Sequence, residues 1–131
     1  MSIINTDKYM FIPFVDKGRD FSGCDCRGLV GLIVKEVFNI DIPDMQVSWE
    51  DHAEVNKAIR EKNTWRRVIH PIIENPCIVL MCVEKPNQID HMGLYVGGGD
   101  FIHISKRMKR PSINSIHHIY WKYCIEGFYV S

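Results

Sequence analysis

The chain has 131 residues, 46% of them hydrophobic and 24% charged, with 16 basic side chains balancing 16 acidic ones. That length suits one domain, residues 1–131, with a hydrophobic core of its own, and is short for two. The balanced charge lacks the basic excess of a nucleic-acid binder, and the longest apolar run, residues 77–83, is far too short to span a bilayer.

The first residues carry no basic segment followed by an apolar run, so no signal peptide is expected and synthesis in a cytosol is. Residues 11–15, Phe-Ile-Pro-Phe-Val, form a short apolar run that leads into a polar turn at 16–20. Over residues 25–38 the apolar positions Cys26, Leu29, Val30, Ile33, Val34, Val37 and Phe38 recur at helical spacing, which predicts an amphipathic helix with one buried face. Asp25 adds a negative charge suited to its start. A loop over 39–47, containing Pro43, precedes a second predicted helix over 48–62, opened by the capping-box pattern Ser48-Trp49-Glu50-Asp51. Residues 65–76 are irregular, and Pro71 and Pro76 argue against a central strand there.

Beyond this point the pattern changes to strands. Residues 77–83 predict a buried strand, and residues 91–96 and 101–104 flank Gly97-Gly98-Gly99 as a hairpin. Residues 105–110 form a basic, polar turn and Pro111 breaks structure again. A short helical turn over 117–123 and a last strand over 127–130 complete the chain. Helices first and strands after is an α+β order, not alternating βα units.

The five cysteines are an odd number, and without a secretion signal no disulfide framework is expected. Cys77, Cys82 and Cys124 fall in apolar runs and read as buried small hydrophobes. Cys26 differs, because the first turn of a helix exposes a thiol to the positive end of the backbone dipole, and the thiolate is the nucleophile. The alternative is an unreactive cysteine on an apolar helix face. Gly28 lets another chain segment or a substrate approach that turn closely. If Val96 pairs with Asp100 across the glycines, His103 lies diagonal to His91 on one face of the hairpin. His91 then serves as base to the thiol, and His103 holds its other ring nitrogen. A one-residue slip would put the two rings on opposite faces, where they would be ordinary strand histidines. Cys24-x-Cys26 lacks the second close pair that a zinc site needs, so no metal and no cofactor are expected. Trp49, Trp65 and Trp121 are scattered and read as packing residues.

Asp25-Cys26-Arg27-Gly28-Leu29-Val30 resembles the D-C-S-G-L-V nucleophile motif of the NlpC family of cell-wall cysteine peptidases. His91-Met92-Gly93-Leu94-Tyr95-Val96-Gly97 is similar to that family's H-V-G-I-Y-x-G segment, and Phe101-Ile102-His103 to its F-I-H segment. The lead-in at residues 11–18 and the Gly127-Phe128-Tyr129 ending resemble phage and prophage members. The resemblance runs over nearly the whole chain. It implies a papain-like α+β fold with the cysteine helix packed on an antiparallel sheet. It also implies hydrolysis of peptidoglycan stem peptides, typically between D-glutamate and a diamino acid, with Cys26, His91 and His103 as catalytic trio and the Cys26 backbone N–H as oxyanion donor.

The family's usual serine is Arg27 here and its usual Pro-Tyr is Pro13-Phe14, so Arg27 and Phe14 stand at positions that help build the substrate site. Asp25 either receives a substrate ammonium or only favours the helix start. The basic run Lys106 to Arg110 is either a solvated turn or a contact for an anionic partner or wall polymer. A bacterial, phage- or prophage-encoded tail-tip component is the implied setting, with other tail proteins as further partners. A tail-assembly protein that keeps the fold with weak or no hydrolysis, and an amidase or acyltransferase on the same trio, are the alternatives.

Overall fold

The computed structural model describes residues 3–42 and 66–130, so the helix expected over 48–62, with Trp49, and also Trp65, lies outside the described residues. In chain order, β1 (Arg19–Asp20) and β2 (Gly23–Cys24) form a short antiparallel ladder before the helix α1 (Cys26–Phe38). There follow β3 (Arg66–Val68), β4 (Cys77–Met81), β5 (His91–Gly97), β6 (Asp100–His103) and β7 (Ser112–Ser115), then a short helix α2 (Ile119–Cys124) and β8 (Ile125–Val130). Among the described residues the main sheet has the order β3-β8-β4-β5-β6-β7, antiparallel at every pairing.

Every residue of β4 is buried, which its unbroken apolar run requires of a strand covered on both faces. Successive side chains alternate across the sheet. Ile78, Leu80, Met92, Leu94, Val96, Ile102 and Ile104 pack on the Leu29, Val30, Ile33 and Val34 stripe of α1. Val79, Met81 and Phe101 turn to the other face, where Trp121 of α2 and Phe128 of β8 cover them. The helix ends at Asn39, which takes a left-handed φ of 56° and returns its N–H to the Lys35 carbonyl.

β4 stops two residues earlier than the apolar run suggests, because a carboxylate competes for the chain. The N–H groups of Val83 and Glu84 each donate to Asp90 at 2.8 Å, and the Asp90 N–H returns to the Met81 carbonyl at 3.0 Å. That clasp folds the chain back into β5 and leaves Cys82 only half-buried, where the sequence suggested a buried residue. The edge strands β3 and β7 were not anticipated. β3 satisfies the objection to a central strand by lying at the margin of the sheet.

The β5–β6 hairpin departs from the predicted pairing only at its turn. Gly97, not Val96, pairs with Asp100, and Val96 bulges out of the ladder. Its carbonyl instead accepts the N–H groups of Ile3 and Ile4, at 2.7 and 2.9 Å. From Tyr95–Phe101 onward the register is the expected one, so His103 lies opposite Gly93 and diagonal to His91. The turn itself runs through Gly98 and Gly99, both with positive φ (65° and 81°).

Candidate active site

Cys26 is the first residue of α1, and Asp25 is its N-cap, accepting the Gly28 N–H at 2.8 Å. The Cys26 side chain is almost wholly buried, and the N–H groups of Met92 and Arg27 are directed at its sulfur. Burial, and then the neighbouring Asp25 carboxylate, push this thiol well above its ordinary range; those two N–H groups and Arg19 act in the opposite sense. Cys24, fully buried and donating to the Asp20 carbonyl at 3.1 Å, is pushed up to about 12 by burial and by Asp25. All five cysteines are free thiols.

A methyl group on Gly28 would run into the carbonyl oxygen of Gly18. The close neighbour that this glycine admits is therefore the chain's own 16–20 turn. That turn is held against the helix start by Asp25, whose carboxylate also accepts the Lys17 N–H at 3.0 Å and Arg19 Nη1 at 2.7 Å.

His91 opens β5, on the face of the sheet away from α1. Its Nε2 lies 2.7 Å from Nδ1 of His103, and Nε2 of His103 lies 2.7 Å from Oδ1 of Asn114 on β7. His103 is fully buried, with the rings of Phe101 and Trp121 each 4.7 Å away, centroid to centroid. Burial, and for His91 also the neighbouring His103, lower both imidazoles, His91 to about 3 and His103 to about 4; the Asn114 contact partly offsets this for His103. Burial thus acts in the same sense on all three groups, against charge on either ring and against the Cys26 thiolate.

The helix start and the beginning of β5 meet at one end of the sheet, where a cleft of about 960 Å³ is lined by both Cys26 and His91. Phe14, Met108, Tyr120 and Trp121 supply its apolar surface, and Asp16, Glu84, Lys106 and Arg107 its charge. Of the residues expected at the substrate site, Phe14 lines this cleft, whereas the side chains of Asp25 and Arg27 are engaged elsewhere. Asp25 is fully buried behind the cysteine, accepting the bonds described above. Arg27 follows Cys26 by one helical step of about 100° and so points away from it; it is buried over Gly31 and donates to the Ile42 carbonyl at 2.6 Å. Part of the basic run also reaches the cleft, and the Phe14 N–H donates to the Lys109 carbonyl at 2.9 Å, tying that turn to the Phe14 segment.

Asn114 and Asp90 were not singled out in the sequence. The only signal for Asn114 is the polar alternation of Ser112 and Asn114 around Ile113, which is too short to declare a strand. For Asp90 the signal is its place immediately before His91.

The model of the NlpC/P60 family matches residues 12–129. Gamma-DL-glutamyl hydrolase of Bacillus subtilis (strain 168) is 30% identical over 122 residues, a match that takes in 92% of this chain and 26% of that protein. The chain thus spans about a quarter of that relative's length. Among solved structures, the NlpC/p60 domain of the peptidoglycan hydrolase SagA superposes with a TM-score of 0.59 at 24% identity, covering 96% of this chain and 92% of that one. An NlpC/P60 family protein from Bacillus cereus ATCC 10987 gives 0.64 at 20% identity, covering 97% and 38%. NlpC1 from Trichomonas vaginalis gives 0.62 at 16% identity, covering 95% and 40%. At these identities the superpositions establish a shared fold.

Proposed function

This chain belongs to the NlpC/P60 family, and from that premise we propose that it is a cysteine peptidase of peptidoglycan stem peptides, cutting between D-glutamate and a diamino acid. The observation that carries the proposal is the convergence of Cys26 and His91 on one cleft, with His103 hydrogen-bonded behind His91. The sulfur of Cys26 attacks the scissile carbonyl while His91 takes its proton. The Cys26 N–H has no acceptor within the helix, since it belongs to the first turn, and it stabilises the oxyanion. The imidazolium of His91 then protonates the leaving amine, and water, activated by the same ring, releases the acyl group from sulfur. The name of the Bacillus subtilis relative supports a γ-glutamyl linkage at the cut. The setting we propose is a phage or prophage tail tip in a bacterial host, supported by the likeness of residues 11–18 and 127–129 to phage members.

Purified protein incubated with stem-peptide fragments is expected to release a product carrying a new D-glutamyl carboxylate. Cys26→Ala should lower that rate at least about 10³-fold. Absence of a Cys26-dependent product on any stem peptide would sink the peptidase proposal and leave a structural role in the tail. Mass spectrometry of purified phage particles tests the location, which fails if the chain is absent from them.

A further inference from the structure

We propose that Asn114 selects the tautomer of the His103–His91 pair and is thereby a positioning residue for the base at His91. This rests on the assignment of Cys26 and His91 as nucleophile and base, and adds a residue that neither the motifs nor the family match assigns. His91, His103 and Asn114 lie on one face of three adjacent strands. Gly93 is opposite His103, which puts His91 on the diagonal, and His103 is opposite Ser112, which puts Asn114 on the next diagonal. The two 2.7 Å contacts follow that stagger from β5 to β7.

The direction of the hydrogen bonds then follows from chemistry. Oδ1 of Asn114 carries no hydrogen, and the Ser112 hydroxyl also donates to it at 3.1 Å. His103 must therefore place its single proton on Nε2, because a neutral imidazole has one N–H. Its Nδ1 is then an acceptor, and the hydrogen shared with His91 belongs to His91 Nε2. What remains on His91 is an Nδ1 lone pair, able to take the thiol proton. In the reversed arrangement His103 Nδ1–H would donate to His91 Nε2, and Nδ1 of His91 would already hold a proton, leaving no base. Because His103 is fully buried between Phe101 and Trp121, Asn114 is the contact on Nε2 that decides between the two. When His91 becomes imidazolium, Nε2–H still donates to His103 and nothing behind it has to rearrange.

The test is ring-¹⁵N NMR of the labelled protein together with pH-dependent kinetics, on wild type, Asn114→Ala and Asn114→Asp. Wild type is expected to show both rings as Nε2–H tautomers. Asn114→Ala should show a mixed or reversed pattern, with kcat lowered about 10²-fold or more and KM within about threefold. Asn114→Asp keeps an acceptor at the same place, so it should restore the tautomers and bring kcat within about tenfold of wild type. Its carboxylate should also move the acid limb of the pH–rate profile upward by about one unit. Wild-type tautomers in Asn114→Ala, or an unmoved acid limb in Asn114→Asp, would overturn the proposal; the second decides the matter if the alanine variant does not fold. The spectra also separate this proposal from the peptidase assignment. Tautomer loss in Asn114→Ala without any wild-type hydrolysis sustains the relay and defeats the peptidase, and hydrolysis with unchanged tautomers does the reverse.

Discussion

Asp25 stands one residue before the proposed nucleophile, yet it serves the fold. One oxygen accepts Arg19 Nη1 and the Gly28 N–H and the other accepts the Lys17 N–H, so its carboxylate both caps α1 and fastens the 16–20 turn over Gly28. Of the two roles open to it in the sequence, substrate ammonium or helix start, the structure shows the second. Asp25→Ala removes the cap and leaves partners of a buried carboxylate without their acceptor, an effect of about 3 kcal/mol. Chemical unfolding of the purified variant should show that loss; stability within about 0.5 kcal/mol of wild type would contradict this account.

Among the elements, the β5–β6 hairpin determines whether there is a site. Gly93 lies opposite His103, and a methyl there would meet the Ile102 carbonyl oxygen at 2.9 Å and the Phe101 ring at 3.0 Å. The ring is fully buried and the carbonyl belongs to the residue before His103, so relieving these contacts pushes back the β6 backbone that carries the His103 ring. Gly93→Ala is expected to cost about 1–3 kcal/mol of stability and to lower kcat by about 10²-fold through a shift of the ring pair. Steady-state kinetics beside an unfolding curve checks both, and wild-type kcat would show that the register has slack. These elements also show what was legible in the sequence. The helix of Cys26 was readable from its seven apolar positions, and the pairing of His91 with His103 from the glycine turn. The edge strands were not, because Ser112–Ser115 and Arg66–Val68 are short, mostly polar and defined by their neighbours in the sheet. With β7 hidden, Asn114 was hidden too. Arg27 was assigned to the substrate from the motif alone, whereas its helical phase turns it away from the cleft.

At the scale of the whole molecule, burying two neutral imidazoles makes folding sensitive to acid. The lowered histidines, at about 3 and about 4, bind fewer protons when folded than when unfolded at every pH from about 6.5 down to those values. Stability therefore falls as pH drops below about 6.5, by up to about 1.4 kcal/mol per pH unit for each ring. Denaturant midpoints measured between pH 7 and pH 5 should fall in wild type and fall less steeply in His103→Gln; a flat wild-type profile would contradict burial of neutral rings. The bulge at Val96 has a consequence on this same scale. Val96 is the extra residue of the ladder between the Tyr95–Phe101 and Gly97–Asp100 pairs, and its side chain is fully buried in the core against α1. Its carbonyl, released from strand pairing, moors Ile3 and Ile4 to the sheet. One residue thus ties two segments to the sheet, Ile3 and Ile4 through its carbonyl and α1 through its side chain, so shortening the hairpin at Val96 would loosen both.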